Sequence, residues 1–438
     1  MDISRLEKYR EQIKRITQGD DFVVDMILFE TGRTDGIATL GKYPFLFHGL
    51  LAAITNCIYP LLGIKRKVKM DCDEDFIFFS CPDPVFRTKT ISLITGEVKY
   101  LIVYLPNFRV PAALSYHKFF KTTDTRAYFP TIKLKHVIEA KKRLNLFKKN
   151  SGGLDKSLDC QKLFSVMSSY LIYDSLMKDL LKQTKGFKGK WILEHDKFYF
   201  IPTVANLHKR CEKTTMLQHG VFFRTSFNYF PMFCDKVLCC SEREKRIYAE
   251  NGVSEDRVVV LGAPLQTLQL SDEVKKGCKQ YDLLVMMTMV KEENIDLIKD
   301  VLTFIKQNYK NVLVRMRPRS RKGDEVLLGE ALDGLTLNEP GSSIMDDLMI
   351  CEKVVSFSED ANVEVAKLRK PFIYVWNEGK RDMKNMGNCA TADNYQEEIK
   401  KLMEQEFYST FGKEQYDEIL GVTDIDVLRE RFVKYIKS

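Results

Sequence analysis

Tyr281-Asp-Leu-Leu-Val-Met-Met-Thr288 (YDLLVMMT) is an apolar run of strand length with no polar alternation. A strand buried on both faces reads this way, and such strands belong to parallel sheets covered by helices on either side. The next segment, Glu292 to Tyr309, sets Ile295, Ile298, Val301, Leu302 and Ile305 at helical spacing. Asn311-Val-Leu-Val-Arg-Met-Arg317 is a second strand, stopped by Pro318, which has no N–H to give to a ladder. A short helix at 343–351, a strand at Lys353–Ser358, a helix at about 360–368 and a strand at Pro371–Trp376 continue the alternation. Strand and helix alternating at this period specify a Rossmann-like α/β unit.

Upstream the same grammar appears a second time. Trp191–Glu194, Thr214–Gln218, Lys236–Cys240 and Arg257–Leu261 read as strands, with helices at Pro202–Cys211 and Glu242–Asn251 between them. Ser241 occupies an N-cap position with Glu244 three residues on, the spacing of a capping box. Phe76–Phe79 and Tyr100–Tyr104 look like further strands of this sheet, and Cys160–Gln183 like a long helix. The expected organisation is two Rossmann-like domains facing across a cleft: residues 1–265, then 266–410, with C-terminal helices at 411–438 packing back on the first.

At 438 residues the chain is too long for one ordinary core, and 45% hydrophobic with 29% charged residues is a globular composition. The net charge of +8 favours an anionic partner without choosing among nucleotide, acceptor and membrane surface. Eleven cysteines without any C-x-x-C spacing argue against a metal site and for reduced, mostly buried thiols. Residues 1–18 are charged and lack the apolar core of a secretion signal, so a cytoplasmic protein is expected. Tyr43–Ile64 is apolar over about the span of a bilayer core and is followed by Lys65-Arg66-Lys67. It carries His48, Asn56 and Pro60, so it reads as a buried helix pair or as a membrane-facing surface, not as a clear span. Lys133 to Lys149 is strongly basic, either a solvated face or a contact for an anionic or lipid-linked acceptor at a membrane.

Chemistry is sought where strands end, because ligands of open α/β sheets bind beyond the carboxyl ends of their strands. Gln218-His219-Gly220 follows one strand, and His219 is read as a general base, or as a histidine hydrogen-bonded for structure. Glu194 and Asp196, flanking His195, form a second candidate base cluster. Arg315 and Arg317, two apart in a strand, are expected to address one phosphate, with Arg319 and Arg321 extending the cluster. Ser356, Ser358, Asn362 and Glu364 join a strand to a helix start, an arrangement suited to phosphate and ribose. Thr288 ends the opening strand and is expected to bind the donor, and Gly262 with Pro264 forms a turn that is either donor-contacting or a plain connector. No Walker A, H-E-x-x-H, G-x-S-x-G or G-x-G-x-x-G pattern occurs, which removes the nucleotidase, zinc protease, lipase and dinucleotide readings.

Gln218-His219-Gly220, the strand–Ser241–helix–Gly252-Val253 run and Gly262-Ala263-Pro264 together resemble the GT-B glycosyltransferase superfamily. The pattern is most similar to bacterial teichoic-acid (CDP-glycerol glycerophosphotransferase-like) and capsule-polymer transferases. Asp347-Leu348, Ser356–Glu364 and Lys370-Pro371-Phe372 resemble the donor half of that family. The resemblance covers about residues 190–380. It implies metal-independent transfer of a sugar or polyol phosphate from a nucleotide-activated donor to a polysaccharide or lipid-linked acceptor, with no resident cofactor and no nucleic acid; the Lys133–Lys149 and Tyr43–Ile64 stretches add peripheral contact with the inner face of the cell membrane as an expectation. By that carry-over His219 corresponds to the base. Arg317-Pro318 stands where the family often has His-Pro, and Ser358-Glu359 where paired serines are usual, which leaves the donor class open. A nucleotide-sugar 2-epimerase-like enzyme and a non-catalytic GT-B-like binding subunit are the alternatives.

Overall fold

The computed structural model describes residues 4–33, 73–80, 93–94, 96–105, 127–128, 130, 132–152, 157–197, 200–218, 231–263, 280–318, 320–358, 362–368, 370–376, 389–404 and 420–438. The expectations for Tyr43–Ile64, His219, Gly220, Pro264, Arg319 and Glu359 fall outside them. The helices are α1 (Ser4–Glu7), α2 (Arg10–Thr17), α3 (Asp21–Arg33), α4 (Leu134–Asn150), α5 (Leu158–Gln183), α6 (Ile201–His208) and α7 (Glu242–Glu250) in the first half. They continue as α8 (Ile295–Asn308), α9 (Arg321–Leu328), α10 (Ile344–Met349), α11 (Asn362–Lys367), α12 (Tyr395–Met403) and α13 (Ile425–Lys437).

Two parallel sheets carry the fold, as the unbroken apolar runs require. The first contains β1 (Phe76–Ser80), β2 (Tyr100–Tyr104), β3 (Ala127–Tyr128), β4 (Lys190–Leu193), β5 (Thr214–Leu217), β6 (Lys236–Cys239) and β7 (Val258–Val260), ordered β3-β2-β1-β4-β5-β6-β7. The second contains β8 (Tyr281–Met286), β9 (Val312–Arg315), β10 (Thr336–Leu337), β11 (Cys351–Ser356), β12 (Phe372–Val375) and β13 (Cys389–Ala390), ordered β10-β9-β8-β11-β12-β13. Both orders run outward from a first strand and then reverse, the doubly wound Rossmann pattern. The α/β class and the two Rossmann-like units are therefore as expected.

Within β1 the side chains alternate between two cores. Ile77 and Phe79 join the helical layer of α2 to α6, whereas Phe76 and Phe78 lie with Leu428, Phe432 and Ile436 of α13. The Phe76 and Phe432 rings meet edge to face at 5.4 Å. The Thr215 hydroxyl lies 2.6 Å from the Tyr435 hydroxyl. The C-terminal helix thus covers the first sheet although it follows the second in sequence. The second sheet packs α8 and α12 on one face and α10 and α11 on the other. Cys240 and Ala263 share the latter buried cluster with Met286 and Leu420, so one apolar cluster joins residues of both units. No described helix is long and apolar enough to cross a membrane.

Two strands are shorter than their sequences suggest. β9 stops at Arg315 because the Met316 N–H is taken by the Asn338 side chain at 3.0 Å instead of by a neighbouring strand. β8 stops at Met286, which is level with Arg315 on one side and Ser356 on the other, the last residues of both partners. The Ser241 cap forms as expected, its hydroxyl accepting from Glu244 N at 3.3 Å. The reciprocal arm differs, since the Glu244 carboxylate accepts from Cys240 N at 2.7 Å.

Gly262, expected to contact a donor, is instead turned to the C-terminal chain. Its φ is +116°, and a Cβ there would lie 2.2 Å from Leu428 Cδ2 and 2.5 Å from the Val422 carbonyl. Ala263 N donates to that same carbonyl at 2.9 Å. The connector reading of this turn is the one the packing supports. Gly262→Ala is expected to cost about 2–4 kcal/mol, from positive-φ strain plus overpacking, and to expose α13 amides to hydrogen exchange. Gly323→Ala, in α9 with nothing within 4 Å of the added Cβ, should instead stabilise by up to about 1 kcal/mol, both variants being compared with the parent by urea titration.

Candidate functional site

In each sheet the chain order reverses between two central strands, and that switch point opens the crevice where ligands of such sheets bind. In the first sheet it lies between β1 and β4. Ser80 ends β1 and Glu194 follows β4, and the Ser80 hydroxyl donates to Glu194 Oε2 at 2.7 Å. Glu194 is 4% exposed and Ser80 1%. A carboxylate this deep needs a hydrogen-bond donor, which Ser80 supplies. The apolar run of β1 ends at Phe79, so nothing in the sequence marks Ser80 as part of the strand exit. Gln218, at the end of the adjacent β5, accepts from the Tyr248 hydroxyl at 3.2 Å and is itself buried.

Asp196 differs from Glu194, two residues away. Its Oδ1 pairs with Lys197 Nζ at 2.6 Å, and its Oδ2 accepts from Phe233 N at 2.5 Å and Cys234 N at 3.3 Å. Lys197 also donates to the Pro231 carbonyl at 2.5 Å and lies over the Phe233 ring at 4.5 Å. Both side chains are fully buried. Burial alone would push the Asp196 carboxyl up, but the Lys197 charge and the bonds from its neighbours hold it below the ordinary carboxylate range. So low and so fully bonded a carboxylate is poorly placed to take a proton from substrate. The expected base role of Asp196 therefore gives way to that of an anchor, clamping the 231–234 segment onto the end of β4. His195 Nδ1 accepts from the Asp196 and Lys197 amides at 3.0 and 3.2 Å, which puts the proton of the neutral ring on Nε2.

In the second sheet the switch point lies between β8 and β11, and Met286 and Ser356 are directly level there. Thr288 follows β8 and Ser358 follows β11, so these expected donor-binding residues do come together at one edge. Ser356 is fully buried, its hydroxyl donating to the Ser358 carbonyl at 3.0 Å and accepting from Ser358 N at 3.1 Å. It shapes the turn, and beside it Ser358 and Thr288 are half-buried. Asn362 opens α11, fully buried, with neither side-chain atom hydrogen-bonded among the described residues, and Glu364 lies two residues further on, half-buried.

The two arginines are not brought to one anion. With β9 ended at Arg315 the two-residue alternation does not extend to Arg317. Arg315 turns into the protein, pairing with Asp347 and donating to Ser342 Oγ at 3.1 Å and the Ser342 carbonyl at 3.0 Å. Arg317 is exposed beyond the strand end. Arg321, the far end of the expected cluster, bonds Glu325 at 2.7 Å and the Asn338 carbonyl at 2.8 Å. Among the described residues no group of three or more His, Cys, Asp or Glu side chains is arranged to hold a metal. Cys351 and Cys234 are poor nucleophiles, burial pushing the Cys351 thiol up to about 12 and Cys234 well above its ordinary value.

Lys197→Met should destabilise the protein by roughly 3–5 kcal/mol at neutral pH, the cost of leaving a buried carboxylate uncompensated. The Asp196 pKa is depressed in the folded protein, so its contribution is present above the unfolded value of about 3.9 and fades as pH falls below it. In the variant the opposing charge is gone and burial favours the protonated acid. The gap between wild type and variant is therefore expected to narrow as urea titrations move from neutral pH to below about 4. A gap independent of pH would show that Asp196 is not the group responsible.

No protein-family model matches the sequence, and a search of curated proteins finds no match. Solved structures do match. UDP-N-acetylglucosamine 2-epimerase from Rickettsia bellii superposes with a TM-score of 0.53 at 14% identity, over 83% of this chain and 96% of that one. UDP-GlcNAc 2-epimerase from Methanocaldococcus jannaschii gives 0.51 at 14% identity, over 83% and 98%. The Neisseria meningitidis UDP-GlcNAc 2-epimerase bound to UDP-GlcNAc gives 0.50 at 14% identity, over 82% and 99%. The resemblance to glycerophosphate and capsule-polymer transferases finds no support in these structures. What they share with the chain is the fold: α/β, of GT-B type, with two Rossmann-like domains facing across a cleft.

Proposed function

We propose that the protein is an enzyme acting on a nucleotide-linked sugar, with isomerisation at the sugar as the first reading of its chemistry. The observation that carries this is the pair of polar switch points, Ser80–Glu194 in one sheet and Thr288–Ser358 in the other, within a fold shared with UDP-GlcNAc 2-epimerases. In this reading the nucleotide phosphates lie at the second sheet against Thr288, Ser358 and the exposed Arg317. Their charge is met by hydroxyl donors and by a guanidinium with no ion pair among the described residues. Glu194 is the proton-moving group at the sugar, held at the strand exit in a buried site by its bond from Ser80. His195, with a proton on Nε2, and Gln218 complete the polar edge.

Transfer to an acceptor hydroxyl is the second reading. The Gln218-His219-Gly220 motif at a strand end favours it, with His219 as the base, and the acceptor would be a polysaccharide or its lipid-linked precursor. No resident cofactor is proposed in either case.

Purified protein incubated with UDP-, CMP-, CDP- and GDP-linked sugars separates the readings. Acceptor-free conversion of the sugar supports isomerisation, and consumption that requires an acceptor supports transfer. Absence of both turnover and nucleotide-induced thermal stabilisation would overturn the proposal. Glu194→Gln should lower turnover by about 100- to 10,000-fold if it moves the proton. Under transfer that loss falls on His219→Ala instead. Arg317→Ala is expected to weaken nucleotide binding roughly tenfold or more without changing the melting temperature, as loss of a charge-assisted contact. Arg315→Ala should do the reverse, costing roughly 3 kcal/mol of stability because Asp347 is left buried without its partner.

A further inference from the structure

The outward face of α4 carries three of the exposed large apolar side chains of the described surface. Val137, Ala140, Leu144 and Phe147 turn inward onto α5 and the N-terminal helices. At about 3.6 residues per turn, the opposite half of the helix gathers Leu134, Ile138 and Leu146. These are 71%, 46% and 51% exposed. Solvent-facing leucine and isoleucine are ordinary singly, but three on one face of one helix form a stripe. Lys141, Lys142 and Lys149 are exposed on the same half, and none has a carboxylate partner among the described residues. The exposed acid of the helix, Glu139, accepts from Ser175 at 2.8 Å and lies 3.8 Å from Arg143, so it does not neutralise them.

The helix is also held rigidly enough to present this face. Arg143 is bound to Asp174 at 2.6 Å, and His136 contacts Asp179 at 3.0 Å. Arg143 further donates to the Ile16 carbonyl at 2.7 and 2.9 Å, so α4 is fixed both to α5 and to α2.

We infer that the Leu134–Lys149 face of α4 docks the protein onto an anionic lipid surface. Apolar side chains interleaved with lysines on one helical face match an interface in which acyl boundary lies beside anionic headgroups: the apolar groups enter the boundary while the lysine stems reach back to the headgroups. Charge complementarity selects this occupant over a second copy of the chain, because two such faces would bring like charges together. The attachment does not depend on the sugar chemistry proposed above.

The test is co-sedimentation of the full chain with phosphatidylcholine vesicles, with and without phosphatidylserine, at low and high salt. Binding is expected on the serine-containing vesicles, weakened by salt, and at least tenfold lower in K141E/K142E/K149E. Leu134→Ser combined with Ile138→Ser and Leu146→Ser should weaken binding at both salt concentrations. All six positions are exposed, so melting temperatures near that of the parent verify that the variants are folded. Failure of the parent to bind serine-containing vesicles, or equal binding by the charge variant, overturns the inference. So does concentration-dependent dimerisation that the serine variant abolishes in the absence of vesicle binding.

Discussion

A parallel strand cannot return to its neighbour by a tight turn. Every connection in this chain must cross from the carboxyl end of one strand to the amino end of the next, laying a helix or loop over the sheet on the way. All the strand pairings described here are parallel, so this constraint governs the whole molecule. It forces the strands to be apolar on both faces, which is why they read as unbroken hydrophobic runs. It also gathers every strand exit along one edge of each sheet. Polar groups that would be intolerable inside the sheet are tolerated there, and the reversal of strand order leaves a gap between two exits. The positions of Ser80, Glu194, Thr288 and Ser358 are consequences of that topology before they are matters of chemistry.

At such an edge a charged side chain has two stable fates. It can be consumed internally, as Asp196 is by Lys197 and Arg315 by Asp347, or it can remain available to a ligand. Neighbouring residues take different fates here. Glu194 takes a hydrogen bond from the neutral Ser80 hydroxyl where Asp196 is paired with a full cation, and Arg317 is exposed where Arg315 is bound. The internal pairs are expensive to form, since two ions are desolvated, and they define position more than they add stability. By locking the ends of β4 and β9 they leave the groups beside them in fixed places.

The long central strands and the helix of residues 295–308 were legible because periodicity accumulates over many residues. The sheet edges were not. β3, β10 and β13 are two residues each, too short to carry any pattern, and only pairing with a longer neighbour makes them strands. The site was legible by location and misread by contact. Residues 194, 288 and 356–358 do lie at strand exits, as the strand pattern implies, yet sequence cannot tell a cation bound by its own protein from one awaiting a phosphate. Arg315 and Arg317 appeared equivalent because both were placed in one strand. A single side chain, Asn338, ended that strand two residues earlier and sent them apart. Lys197 was overlooked for the opposite reason: a lysine reads as surface unless its burial is known, and here it is wholly enclosed.

The crossing of α13 back to the first sheet bears on how the protein is made. The hydroxyls of Thr215 and Tyr435 meet across 220 residues of sequence, so contacts of high sequence separation close the core over Phe76 and Phe78. During synthesis the first sheet emerges long before the helix that covers one of its faces, and the whole second unit is translated in between. That face must wait, apolar and uncovered, until the C-terminal helix leaves the ribosome. The second unit, whose helices lie close in sequence to their strands, carries no such delay between sheet and cover.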